Sequence, residues 1–247
     1  TVQPDVQDEH HYPSSVGASL ALANSFDKRP RTGPKVFVGE WATRIGNPTP
    51  QFSAAMADAA FMCGIERNAD LVKMFCYAPL LVNVSDLADR QNGSMQWPSD
   101  MIGYNALTSF GSPAYYVEKM FYTHKGDRVL PIVELTPQTP GGALPGTNQD
   151  LPPLYSAASR DDKTGDVILK VVNTREGAQQ MTLSFAGAST IRKDAIGEIL
   201  SGPADAVNTI ADPLHCVPQK LEIHDAAPSF VHEFPGMSVS VIRFKTR

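Results

Sequence analysis

Glu40 stands at the end of a short apolar run and is the first candidate for chemistry in this chain. The run covers residues 36–42, Val-Phe-Val-Gly-Glu-Trp-Ala, and follows Gly33 and Pro34. Branched and aromatic residues in this order are typical of a buried β-strand, and catalytic side chains of parallel α/β folds lie where such strands end. A carboxylate there can attack as a nucleophile or transfer a proton. The alternative is an ordinary strand-end glutamate that caps a helix or pairs with an arginine.

A second set of candidate side chains lies in the stretch Asp-Glu-His-His-Tyr at residues 8–12. Successive side chains of a regular strand point to opposite faces, so His10 and Tyr12 share one face and Glu9 and His11 share the other. The two histidines therefore cannot bind one metal ion from a regular strand. His10 and Tyr12 can contact the same substrate.

The sequence that follows Glu40 predicts a βαβ unit, which would position these residues. After the strand that carries Glu40, residues 51–67 are rich in Ala, Met, Phe and Ile and predict a helix that ends at residues 68–70. In the apolar segment at residues 71–83, the first half suits a strand and the second half suits its exit loop. Strand, helix and strand in this order indicate an α/β part with a parallel sheet.

The second half of the chain predicts an antiparallel β-sandwich. A Pro/Gly loop at residues 136–146 precedes short strand-like runs, and the run at residues 167–172 is too apolar for an exposed edge strand. No catalytic constellation is found in this half. The predicted strands cover residues 154–159, 166–173, 179–185, 195–200, 230–234 and 238–244.

Composition limits the classes of partner. The chain has 247 residues, of which 42% are hydrophobic and 19% are charged, enough for one or two globular domains. A net charge of -5 with scattered basic residues argues against a nucleic-acid partner. No run of 18 or more apolar residues is present, so no membrane partner is expected.

Cysteine and histidine spacing gives no metal site. The three cysteines are widely spaced and form no CxxC pair, so neither a zinc site nor a disulfide framework is indicated. We expect Cys63 and Cys76 to pack as small hydrophobes in apolar surroundings. His215, His224 and His232 match no ligand motif, and each is expected to have a separate polar surface role.

As a set, the motifs resemble glycoside hydrolase family 51, whose members are retaining α-L-arabinofuranosidases. Their joint order covers nearly the whole chain and is more specific than any single motif. The resemblance implies an α/β plus all-β chain: the last about three strands of a (β/α)8 TIM barrel at residues 1–127 and a C-terminal antiparallel β-sandwich at residues 128–247. Its first sandwich strand would come from residues 128–135. The motifs lie at residues 8–12, 36–42, 59–70, 77–83, 97–102, 104–105 and 110–117.

The resemblance also implies roles for individual residues. Glu40 takes the position of the catalytic nucleophile, and His10 and Tyr12 line the pocket for the sugar. Trp97, in a Gly/Ser/Pro-rich loop, is either a stacking platform for a sugar ring or a side chain folded back onto the core. Two further residues, at the exit of the last barrel strand, are expected to contact substrate. They are Tyr77 and Asn83.

The family's acid/base glutamate follows an asparagine, and no Asn-Glu pair occurs in this chain. A retaining glycosidase needs two carboxyl groups about 5 Å apart, one to attack the anomeric carbon and one to protonate the leaving oxygen. Glu9 would point away from the sugar because it lies on the face opposite His10. An intact barrel takes about 250 residues, so we expect a fragment that begins within the barrel and lacks the acid/base glutamate.

The predicted function is thus hydrolysis of terminal non-reducing α-L-arabinofuranosyl units from glycans, without a metal or an organic cofactor. The resemblance allows homo-oligomers of the intact enzyme. The sequence does not choose among natural polymers or between a cytoplasmic and a secreted location. One alternative is a non-catalytic carbohydrate-binding or accessory β-sandwich module. Another is a structural fragment that works only when joined to the missing strands.

Overall fold

The computed structural model describes residues 4–85, 97, 99–133, 151–188 and 190–246. Its first part is built on a three-stranded parallel sheet in the order β1-β2-β3, formed by Val6–His11, Lys35–Trp41 and Val72–Tyr77. Helix α1, Val16–Leu22, connects β1 to β2, and helix α2, Phe52–Arg67, connects β2 to β3. The predicted strand and helix around Glu40 are therefore confirmed, with ends that differ by one residue.

Helix α2 is buried along almost its whole length, because it is covered by the parallel sheet, by other helices and by the second part of the chain. Gln51 gives the helix no side-chain cap. Instead, the backbone amides of Phe52 and Ser53 donate to the carbonyls of Ala206 and Ala204 over 2.9 and 2.8 Å. Tertiary contacts thus satisfy donors that a helix start otherwise leaves open.

A small second sheet covers the exits of β2 and β3. It contains β4 (Leu81–Asn83), β5 (Ile102–Tyr104) and β6 (Ser109–Gly111), in the order β4-β5-β6. The amide of Asp100 donates to Pro48 over 3.0 Å, and the amide of Met101 donates to Pro79 over 3.2 Å. The end of the segment predicted as an exit loop is therefore a short strand. Helix α3, Pro113–Thr123, follows this sheet.

The second part is a β-sandwich. A six-stranded antiparallel sheet has the order β12-β11-β14-β9-β8-β7, and a two-stranded sheet pairs β10 with β13. Leu169, Ile242, Phe234 and Phe244 belong to a shared core cluster of these strands. The strands are Arg128–Leu130 (β7), Leu154–Arg160 (β8), Val167–Asn173 (β9), Gln179–Ser184 (β10), Ala195–Ser201 (β11), Gln219–Ile223 (β12), Ser229–Phe234 (β13) and Ser238–Phe244 (β14).

Strand β9 is buried on both faces, as its apolar sequence predicts, because the six-stranded sheet packs against α2 on its other side. Lys170 projects from β9 into this interface and is 1% exposed. Its Nζ bonds to the Glu66 carboxylate, donates to the Phe121 carbonyl over 3.0 Å and lies 4.4 Å from the Phe121 ring centroid. The ion pair ties the sandwich to α2, and the carbonyl contact ties it to α3.

Some sequence predictions need correction or lie outside the described residues. Cys63 is buried as expected, but Cys76 is exposed because β3 is an edge strand of its sheet. Strand β12 was not predicted. The Pro/Gly loop at residues 136–146 lies outside the described residues. Among the helices that the structure describes, none is long and apolar enough to cross a bilayer.

Candidate active site around Glu40

The position of Glu40 depends on an irregularity in the pairing of β1 with β2. Glu9 pairs with Val38, but His10 pairs with Glu40, so Gly39 is an extra residue in β2. Such a β-bulge bends a strand and changes the direction of the next side chain, and bulges are frequent beside active sites. The bulge places Glu40 directly opposite His10.

Two side chains from the β1 segment meet one oxygen of the Glu40 carboxylate. The Tyr12 hydroxyl donates to Oε2 over 2.7 Å, and Nδ1 of His10 lies 3.5 Å from the same oxygen. Burial, followed by the hydrogen bond to Glu40, raises the pKa of Tyr12 to about 12, so this hydroxyl keeps its proton at neutral pH. Glu40 is half-exposed, and these contacts leave Oε1 free of Tyr12 and His10.

Asp8 completes this group and was missed by the sequence reasoning. Its Oδ2 lies 3.0 Å from Nε2 of His10, and its Oδ1 accepts the Gly39 amide over 3.1 Å. Alternation along β1 could have identified it, because Asp8 lies on the face that carries His10.

The other face of β1 carries a separate group. Glu9 accepts two hydrogen bonds from Arg29, one of them 3.0 Å long, and these bonds hold the pKa of Glu9 below its usual value. His11 lies 3.3 Å from Glu9 and contacts the Phe61 ring edge-on at 5.7 Å between centroids. Glu9 is therefore held away from Glu40, as strand alternation predicts.

Trp41 and Tyr77 pack together on the helix side of the parallel sheet. Trp41 is 2% exposed, and its ring lies 5.3 Å from the Tyr77 ring and from the Phe61 ring of α2. The Tyr77 hydroxyl is buried without a hydrogen-bond partner among the described residues, and burial raises its pKa well above the usual value.

The remaining two predicted substrate contacts lie beyond β3. Asn83 is in β4, where its Oδ1 accepts the Ser85 amide over 2.9 Å. Trp97 is 54% exposed. In the described part of the chain, no hydrogen bond joins Tyr77, Asn83 or Trp97 to Glu40. The structure thus brings His10, Tyr12 and Glu40 together and places the other three predicted residues elsewhere.

Buried acids on the helix side are a further feature that the sequence reasoning missed. Oδ1 of Asp58 accepts the Thr43 amide over 2.9 Å, which fixes the chain just after β2. Burial raises the pKa of Asp58 to about 7 and that of Asp100 to about 6. Burial and the Asp58 charge raise the pKa of Glu118 to about 8. The sequence signal that could have identified these buried acids is a polar residue within an otherwise apolar segment.

The histidines of the sandwich lie apart from this site. His215 lies 3.2 Å from Asp212, and His224 lies 3.0 Å from Asp194, both on the surface. His232 packs edge-on against the Phe234 ring at 4.8 Å. Within the described ranges, no group of three or more His, Cys, Asp or Glu side chains could hold a metal ion.

Comparison with known proteins agrees with this arrangement. The family model of the α-L-arabinofuranosidase C-terminal domain matches residues 39–238. An α-L-arabinofuranosidase A of Aspergillus niger is 31% identical over 238 residues, which are 95% of this chain and 33% of that protein. An extracellular exo-α-L-arabinofuranosidase of Streptomyces chartreusis is 38% identical over 142 residues, 58% of this chain and 16% of that protein. The chain thus spans a third or less of the length of these relatives.

Solved structures show the same fold. An arabinose-bound GH51 α-L-arabinofuranosidase matches with a TM-score of 0.84 and 28% identity over 99% of this chain and 37% of the other. The arabinose complex of the Thermotoga maritima α-L-arabinofuranosidase matches with a TM-score of 0.74 and 19% identity over 97% of this chain and 52% of the other. With the family model matching most of its length, the chain belongs to the α-L-arabinofuranosidase C-terminal domain family and corresponds to a C-terminal portion of glycoside hydrolase family 51 proteins.

Proposed function

We propose that this chain supplies the nucleophile side of a retaining α-L-arabinofuranosidase site, with Glu40 as the nucleophile. The observation that carries the proposal is the group formed by Glu40, Tyr12 and His10 at the carboxyl end of a parallel strand. Membership of the family supports the same chemistry. The group lies in the α/β part, which favours an enzyme over a binding module made by the sandwich alone.

The proposed domain organisation follows from the parallel sheet. Residues 1–127 would form the last about three strands of a (β/α)8 barrel, and residues 128–247 would form the sandwich domain. Helices α1 and α2 cross over between parallel strands, as barrel helices do. Met74 on the edge strand β3 is 50% exposed, which suits a sheet that further strands extend.

In the proposed reaction, the free oxygen of Glu40 attacks the anomeric carbon of a terminal α-L-arabinofuranosyl unit. The Tyr12 hydroxyl holds the other oxygen and so orients the carboxylate. A second carboxyl group, supplied from outside this chain, protonates the departing oxygen, and water then releases arabinose with retained configuration. Glu9 cannot take that role from its position beside Arg29.

The proposed substrates are arabinofuranosyl-containing glycans. His10 and Tyr12 would contact the sugar beside Glu40, because both side chains lie at its carboxylate. Trp97 is exposed enough to offer its ring for stacking on a sugar. Asn83 is proposed as a further substrate contact because it lies at the end of β4, whereas Tyr77, whose hydroxyl is buried on the helix side of the sheet, is not proposed as one.

The test is covalent trapping with an aryl α-L-arabinofuranoside that has a good leaving group. Such a leaving group departs without protonation, whereas release of the glycosyl enzyme still needs a base, so the intermediate should accumulate. We expect mass spectrometry to find one pentosyl group on the peptide that contains Glu40. Azide attacks without a base and should release an arabinosyl azide of retained configuration.

Two variants make the result specific. Glu40→Ala should form no adduct, and Glu233→Ala, at an exposed position of β13, should label like the parent chain. An adduct that persists in Glu40→Ala would exclude Glu40 as the nucleophile. Absence of any adduct on the parent chain would contradict the proposal that these residues form the nucleophile side of the site.

A further inference from the structure

We propose that Asp8 is a positioning residue that fixes Glu40 through two separate contacts, an inference that rests on the proposed role of Glu40. Asp8 does not touch the Glu40 carboxylate in the described contacts. It bonds instead to the peptide that precedes Glu40 and to the ring that faces Glu40. Both bonds come from one carboxylate, one to each oxygen.

The first contact holds the β-bulge. A bulged residue is left out of the regular ladder, so its amide needs another acceptor. Oδ1 of Asp8 supplies that acceptor 3.1 Å from the Gly39 nitrogen. A Cβ atom at position 39 would lie 2.2 Å from this oxygen, so the close approach requires glycine. Because the Gly39 peptide leads directly into Glu40, fixing it fixes the direction of the Glu40 side chain.

The second contact orients His10. The imidazole lies between two carboxylates, with Nε2 3.0 Å from Asp8 and Nδ1 3.5 Å from Glu40. A carboxylate oxygen accepts hydrogen bonds, so a ring N–H of His10 that donates to Asp8 fixes the orientation of the imidazole. Asp8 therefore holds the His10 ring with Nδ1 facing the oxygen to which Tyr12 also donates.

The partial exposure of Asp8, His10 and Glu40 indicates that Asp8 acts by orienting the Glu40 side chain and not by its charge. The side chains of Asp8, His10 and Glu40 are about half exposed, at 55%, 47% and 46%. Solvent screens charges at such positions, so the net attraction between them is small. Correct placement of a reacting oxygen is worth far more, since a misplacement of about 1 Å can slow a reaction about 100-fold.

The test compares Asp8→Ala and Asp8→Asn with Asp5→Asn, a control at an exposed position just before β1. Asp8→Ala removes both contacts, and we expect adduct formation on Glu40 to slow by about 10- to 100-fold with little change in the apparent affinity for the aryl substrate. Asp8→Asn keeps an acceptor for Gly39 but presents an N–H group to His10. Its rate should fall less, because the contact with the Gly39 amide is kept.

Nuclear magnetic resonance distinguishes this inference from the proposed function. In the parent chain, the nitrogen shifts of the His10 ring should be those of a hydrogen-bonded imidazole, and the Gly39 amide should exchange slowly. Asp8→Ala should change the shifts and accelerate the exchange, even if the parent chain forms no adduct on Glu40. Unchanged shifts and exchange in Asp8→Ala, or an adduct rate equal to that of Asp5→Asn, would overturn the positioning role.

Discussion

Replacing Asp58 by asparagine should change how the stability of the protein depends on pH. Asp58 is fully buried, and burial raises the pKa of its carboxyl group from 3.8 to about 7. The folded state therefore holds a proton that the unfolded chain has released above about pH 4, so stability falls as pH rises toward about 7. The full loss, present above about pH 7, is about 4 kcal/mol.

Asparagine cannot titrate but keeps an acceptor for the Thr43 amide. Its NH2 group adds an unpaired donor, which costs about 1–3 kcal/mol at every pH. The stability of Asp58→Asn relative to the parent chain should therefore rise by up to about 1.4 kcal/mol per pH unit from about pH 4 to about pH 7 and then level off. The charge on Asp58 also helps to raise the pKa of Glu118. Removing that charge in Asp58→Asn should therefore lower the pKa of Glu118, which adds to the relative gain in stability at higher pH.

The assay is urea unfolding of both chains at several pH values from about 4 to about 9, with Asp5→Asn as the exposed control. The control should give a curve parallel to that of the parent chain. Parallel curves for Asp58→Asn and the parent would refute the reasoning, because they would mean that Asp58 is ionised in the folded state and that its burial is compensated.

Two further outcomes follow from the packing. Lys170→Met should lower the free energy of unfolding by about 3–5 kcal/mol in urea titrations, because it leaves Glu66 without its cation. Adding Glu66→Gln to this variant should restore part of the loss. Equal losses in the single and the double variant would contradict this account. In the folded protein, a thiol reagent should modify Cys76 rapidly and the other two cysteines slowly, since only Cys76 is exposed. Rapid reaction of all three cysteines in the absence of denaturant would contradict the burial described for α2 and the sandwich.

Much of the fold could be predicted because it depends on local patterns. Branched residues before Glu40, the long apolar helix α2 and the doubly buried β9 give strong signals in a short window. Strand β12 gives a weak signal, because charged and polar side chains dominate Gln219–Ile223 and only Ile223 is buried. Cys76 was expected to be buried because the sequence does not show that β3 is an edge strand.

In the candidate site too, some features follow from local sequence patterns and others depend on tertiary structure. The sequence by itself determined that Glu40 lies near a strand end and that His10 and Tyr12 share a face of the extended segment at residues 8–12, because alternation is a property of a single strand. Tertiary structure decided that His10 lies opposite Glu40, since the pairing of β1 with β2 and the bulge at Gly39 set that register. The same pairing brings the Gly39 amide to the Asp8 carboxylate, whereas alternation alone places Asp8 beside His10. A register between strands depends on hydrogen bonds and packing between distant segments, which no local pattern contains.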